Sequence, residues 1–247
     1  MTYFNIVTIL GVKFVNGSVD KVFDYLNENG GLLTAPAAPS MLSLTTDHVY
    51  YNALKNSDVV IPDSGFMVLS WNLISKEKIE KISGLKFINY FISHLNKLRF
   101  NSLFLVNPTE LDTMINKQFF IQRGLAIPSD NLYTAPFYNG NIEDDILLSK
   151  IEAKKPFWVL INIGGGTQEQ LGHYLRRNLS YRPAIICTGA AIAFKTGRQT
   201  HIPKWVDKLY LGWLARCISN PKVYIPRYMK GFKLLHLILK YGSKPIN

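Results

Sequence analysis

Up to about residue 194 the chain alternates short β-branched apolar runs with longer segments of helical period, which restricts it to the α/β class with a largely parallel sheet. Strands are expected near 5–10, 31–34, 58–62, 101–106, 157–163 and 183–187, with a further candidate from Leu132 to Phe137. Helices are expected between them, near 18–28, 40–56, 65–75, 85–97, 108–123, 142–153 and 167–178. Turn residues mark the boundaries. Asn29-Gly30-Gly31 closes a helix, Pro62-Asp63-Ser64-Gly65 leads a strand into a helix, and Gly164-Gly165-Gly166 follows the strand ending at Ile163. In open α/β sheets ligands bind outside the carboxyl ends of the strands, so candidate site residues belong at those ends.

Beyond this region the pattern changes to apolar stripes with basic flanks, with Pro221 and Pro226 expected to interrupt the helices. The expected organisation is a Rossmann-like α/β domain over residues 1–195, its sheet flanked by helices, and a basic, aromatic helical appendage over 196–247. From Lys195 onward eleven basic residues face a single acid, Asp207, so the tail carries all but one unit of the net charge of +11. Trp, Tyr, Phe and Leu interleave with these cations, a composition suited to the headgroup region of an anionic membrane through residues 204–241. The same composition also suits core helices or a single-stranded nucleic acid. Cys187 and Cys217 form no disulfide framework, which fits a reducing cytoplasm. Neither a signal peptide nor a membrane-spanning run is expected. The five histidines show no paired ligand spacing, so no metal chemistry is expected.

Four segments have the composition of a site. Asp63 lies between an apolar strand and a helix start, where a carboxylate serves as a general base or as a helix cap. Thr34 ends a strand and opens the loop Ala35-Pro36-Ala37-Ala38-Pro39, either a ligand approach or a plain connection. Gly164, Gly165 and Gly166, followed by Gln168 and Glu169, offer backbone amides and a helix N-terminus to a phosphate group, or simply make a turn. The spacing matches neither a Walker A loop nor a dinucleotide fingerprint. Gly189, in the small-residue run from Thr188 to Ala193, leaves room for a sugar or base, or for close helix packing.

Taken in order, these segments resemble the WecG/TagA/CpsF family of glycosyltransferases. The resemblance is carried by Thr34, Asp63, Gly164 to Glu169, Gly189 to Phe194, His201-Ile202-Pro203-Lys204-Trp205, and Gly212-Trp213-Leu214-Ala215-Arg216 with Pro221 and Arg227-Tyr228. It spans roughly residues 31–231. It implies inverting, metal-independent transfer of an N-acetylmannosamine-like or related sugar from a UDP-sugar to a polyprenyl-diphosphate-linked saccharide, in the assembly of a cell-surface polysaccharide or teichoic-acid-type polymer. Asp63 would be the general base and Thr34 would touch the reacting sugar or leaving group. The glycine loop, Gln168, Glu169 and Gly189 would hold the donor, and Arg216 and Arg227 would neutralise diphosphate charge. No cofactor and no nucleic-acid partner are implied. The place of action would be the cytoplasmic face of the plasma membrane, with self-association into a homo-oligomer.

This chain departs from the family pattern at several points. Pro36 stands where an Asn is usual, Asp63-Ser64-Gly65 replaces an Asp-Gly pair, Gly166-Thr167 replaces Pro-Lys, and Gly212 replaces a Glu. These changes spare Asp63 and Gln168 but touch positions that would contact the sugar. A nonenzymatic membrane or nucleic-acid module on the same scaffold is the competing expectation.

Overall fold

A computed structural model describes residues 3–98, 102–140, 142–189, 191–198, 217–218 and 221–246. Among these residues the strands are β1 (Asn5–Ile9), β2 (Val12–Asn16), β3 (Gly31–Thr34), β4 (Val59–Val60), β5 (Leu103–Asn107), β6 (Leu132–Thr134), β7 (Trp158–Ile161) and β8 (Ala184–Cys187). They form one sheet in the order β1-β2-β4-β3-β8-β7-β5-β6. Only the β1–β2 pair is antiparallel. The helices are α1 (Val19–Asn29), α2 (Ala38–Met41), α3 (His48–Lys55), α4 (Gly65–Ile74), α5 (Gly84–Ser93), α6 (Glu110–Ile121), α7 (Asp145–Lys154), α8 (Thr167–Asn178), α9 (Ala191–Lys195) and α10 (Pro221–Tyr241). The expected α/β class, with a mostly parallel sheet between helices, is what the chain adopts.

The two-residue period of the strands sorts side chains between the faces. Leu33, Leu105, Leu160 and Ile186 pack with Phe23 of α1, Phe87 and Phe91 of α5 and Phe120 of α6. Their neighbours Leu32, Val106, Ile161 and Cys187 pack on the other face with Ile151 of α7 and with Leu171 and Leu175 of α8. Each of these side chains is buried, and burying one Leu, Ile or Phe contributes roughly 1.5–3 kcal/mol.

The structure corrects four expectations. The strand expected near 5–10 is the first arm of a hairpin whose second arm, β2, was not expected, with Ile9 paired to Val12. Its two-residue connection places Leu10 at φ 53° and Gly11 at φ 75°, the positive values that a type I′ turn needs. The helix expected over 40–56 is broken into α2, a 3-10 turn at Leu42–Thr45, and α3. Hydroxyls of Ser43, Thr45 and Thr46 bond back to nearby carbonyls, and Asp47 accepts from Tyr50 N at 2.8 Å to start α3 afresh. The helix expected over 85–97 ends at Ser93, followed by a 3-10 turn at Leu95–Lys97. Pro226 does not interrupt α10, which runs through it.

The second half of α10 joins the core. Leu234 and Ile238, one turn apart, are buried with Met67, Val68 and Trp71 of α4, and Ile246 completes the cluster. Leu10 N donates to Gly242 O at 2.8 Å, fastening the end of α10 to the first hairpin. Among the described residues no helix is long and apolar enough to cross a membrane.

Candidate active site

β4, β3, β8 and β7 are consecutive neighbours in the sheet and run parallel, so the loops that leave their carboxyl ends share one edge. Those loops carry Asp63, residues 35–37, Thr188-Gly189 and Gly164-Gly165-Gly166 respectively. The strand order also diverges here, because β7 leads to its neighbour β8 on one side while β5 leads to β6 on the other. Such a divergence is where open α/β sheets form a ligand crevice.

Asp63 is not the cap of α4. That position belongs to Ser64, whose hydroxyl accepts from Met67 N at 3.1 Å. Asp63 N donates to Ile61 O at 2.9 Å, a tight bend around Pro62. Its carboxylate reaches instead to α5 and accepts from Gly84 N at 2.8 Å. Gly84 is the first residue of α5, so its amide is one that the helix itself leaves without an acceptor. Asp63 is thereby fixed at the edge of the site while remaining half-buried.

A chain of short contacts runs from the β8 loop to the glycine loop. Gly84 abuts Thr188, so closely that a Cβ added there would lie 3.2 Å from the threonine. Gly189 N donates to Gln168 Oε1 at 2.7 Å, and Gln168 Nε2 donates to Glu169 Oε1 at 2.9 Å. The other oxygen, Glu169 Oε2, accepts from Gly166 N at 2.6 Å. Gly166 caps α8 at φ 94°, a backbone state that suits glycine. Gln168 and Glu169 are 2% and 1% exposed, whereas Gly164 and Gly165 face solvent. Burial pushes the Glu169 carboxyl up to about 7, against the hydrogen bonds that favour its charge, and Asp63 adds repulsion in the same direction. The two carboxylates therefore feel each other across the site.

Asp63, Gly164 to Gly166, Gln168, Glu169 and Gly189 are thus assembled on one edge. Thr34 lies at the same strand end, but it is fully buried and its hydroxyl donates to Ser57 Oγ at 3.2 Å. Arg216 lies outside the described residues, as does the segment 201–215. Arg227 falls within α10, and its side chain is also outside them. Among the described residues no three His, Cys, Asp or Glu side chains converge as a metal site would require.

The structure adds residues that sequence reasoning did not single out. Thr188 is buried, and its hydroxyl has no hydrogen-bond partner among the described residues. Asn107, at the end of β5, accepts from Asn116 Nδ2 at 2.7 Å and from Asn162 Nδ2 at 2.9 Å, all three side chains being buried. Asn107 Nδ2 and Asn162 Oδ1 are left without partners there, two residues before the glycine loop. A polar residue at the carboxyl end of an apolar run, as at Asn107, Asn162 and Thr188, was the available signal. Which way its side chain turns was not.

A half-buried carboxylate after β4 and exposed glycines at a helix N-terminus after β7 thus lie on one edge of a parallel sheet, the edge at which open α/β sheets take their ligands. The sequence matches the Glycosyl transferase WecG/TagA/CpsF family over residues 7–246, and the chain belongs to that family. It is a glycosyltransferase. A relative from Bacillus subtilis (strain 168), N-acetylglucosaminyldiphosphoundecaprenol N-acetyl-beta-D-mannosaminyltransferase, is 23% identical over 235 residues, covering 90% of this chain and 88% of the relative.

Proposed function

We propose that this enzyme transfers an N-acetylmannosamine-like sugar from a UDP-sugar to a saccharide carried on a polyprenyl diphosphate, in the synthesis of a cell-surface polysaccharide. The observation that carries this reading is the placement of Asp63, held by Gly84 N on the edge it shares with the loop Gly164 to Gly166. In this scheme Asp63 takes the proton from the acceptor hydroxyl as that oxygen attacks the anomeric carbon, and the UDP group leaves from the opposite face. One direct displacement inverts the configuration. The exposed amides of Gly164 and Gly165 and the N-terminus of α8 receive the diphosphate. Arg216 and Arg227 supply the cationic charge that the leaving group requires, so that no metal ion is needed. The acceptor's lipid places the enzyme at the membrane surface, where the cations and aromatic residues of 204–241 suit anionic headgroups.

The test uses purified protein, a panel of UDP-N-acetylhexosamines and N-acetylglucosaminyl diphosphoundecaprenol, with UDP release as the readout. Turnover with the manno-configured donor, unaffected by EDTA and giving a product of inverted anomeric configuration by NMR, is the expected result. Turnover only with another donor class, EDTA-sensitive turnover, or retention of configuration each removes one part of the proposal.

A further inference from the structure

The carboxylate of Glu169 is engaged within the protein itself. Both carboxylate oxygens are occupied, one by Gly166 N and the other by Gln168 Nε2. Gln168 in turn uses its Oε1 on Gly189 N and its main-chain oxygen on Cys187 Sγ at 3.2 Å. One buried carboxylate therefore connects the β7–α8 loop, the first turn of α8 and the loop after β8. We infer that Glu169 is a positioning residue: it clamps the glycine loop to the end of β8, so that the amides meant for the donor are set before the donor arrives. This rests on the reading above that those amides receive the donor, and it assigns Gln168 to the same clamp rather than to the donor itself.

The bonding chemistry supports a clamp. Both oxygens of Glu169 accept, and bonds from N–H groups to an ionised acceptor are stronger than neutral ones. The titratable and charged groups facing Glu169 among the described residues are Asp63 from the β4 loop, Tyr50 from α3 and Cys187 from β8. Asp47, at the cap of α3, is joined to the neighbouring Gln170 at 3.0 Å. None of these is a cation, so burial is unopposed by an ion pair there and lifts Glu169 to about 7. Ionisation above that value works against the buried arrangement, so any opening that hydrates the carboxylate should become more frequent as pH rises.

Two measurements test this. The first uses the wild-type chain without ligand and follows amide hydrogen exchange by NMR, corrected for intrinsic rates. Protection at Gly166 and Gly189 should fall together by about tenfold between pH 6 and pH 8, at values well below those of the sheet amides, so that the opening is local. If protection at either glycine is indifferent to pH, or changes only with the whole fold, the clamp is refuted whatever the enzyme's donor is. The second is steady-state kinetics of Glu169→Gln, whose amide can accept from only one of the two donors. The expected result is a donor KM raised about tenfold, with kcat within about threefold of wild type. A fall in kcat at unchanged KM would place Glu169 in the chemistry and overturn the positioning role. If wild-type protein turns over no UDP-sugar at all, the functional reading fails, while the exchange experiment still decides on the clamp.

Discussion

The two ends of α8 present two carboxylates in opposite circumstances. Asp58, just before β4 at the amino edge of the sheet, accepts from Arg176 Nε at 3.1 Å, Arg182 at 2.6 Å and Leu32 N at 2.8 Å. Two cations and a backbone amide meet this charge, and in doing so tie α8, β3 and the approach to β8 together. Glu169, at the other end of the same helix, is more deeply buried and has no cation against it among the described residues. It is held by N–H groups and lies in the field of a second carboxylate, Asp63. A charge placed for stability is neutralised where it stands. A charge kept buried without a counterion costs stability, and such sites are where function is found.

Four substitutions break or sharpen this contrast. The largest effect is expected at Asp63→Asn, which keeps the shape but removes the base. It should cut kcat by about a thousandfold while folding and donor affinity stay near wild type. Full activity in that variant would remove Asp63 from the chemistry.

Glu169→Gln should expose the cost of the unneutralised charge. The folded carboxyl is raised from 4.5 to about 7, so its contribution to stability is fully present below pH 4.5 and is lost as pH rises through 7. That loss amounts to roughly 3 kcal/mol in the wild type and should be missing in the variant. Urea unfolding at pH 5 and pH 8 checks it, and parallel pH dependences in the two proteins would contradict it.

Asp58→Ala is expected to act in the opposite way. It leaves Leu32 N and two arginines without their acceptor, at about 2 kcal/mol after allowance for the partly exposed arginines. Activity at low temperature should persist, and a kcat loss there beyond the loss of folded protein would mean that the two edges are not separate in role. The smallest effect is expected at Ser64→Ala, which removes the cap of α4 at about 1 kcal/mol. Asp63 stays fixed by Gly84, so kcat should change little, separating capping from catalysis at adjacent residues.

Much of this was legible in the sequence because it is written in local patterns. α8 begins and ends where glycine punctuation and periodicity placed it, and β3, β8 and α4 lie within a residue or so of expectation. The hairpin was missed because its turn carries Leu10, a side chain that rarely adopts positive φ and here does so while fully buried. Convergence of the glycine loop with Asp63 followed from strand ends alone. The partners did not: Gly84 lies 21 residues from Asp63, and Ser57 lies 23 from Thr34. Both contacts depend on how helices settle on the sheet. Periodicity says which face of a helix is apolar, but it does not say where a neighbouring helix begins in space.

The fastening of α10 to the first hairpin has a consequence for how the chain matures. Tyr51 donates to Leu10 O at 2.9 Å and accepts from Ile246 N at 3.2 Å, so the hairpin turn is covered by residues more than 230 positions later. During synthesis the hairpin leaves the ribosome early, yet its turn and the α4 surface beside it stay open until those residues emerge. For most of translation the nascent chain therefore exposes an unfinished apolar seam, and this is where a chaperone would find it. Deleting residues 234–246, which takes Leu234 and Ile238 away from α4 as well as removing the cover of the turn, should leave that seam open for good, producing a protein that is made in full measure but recovered in aggregates.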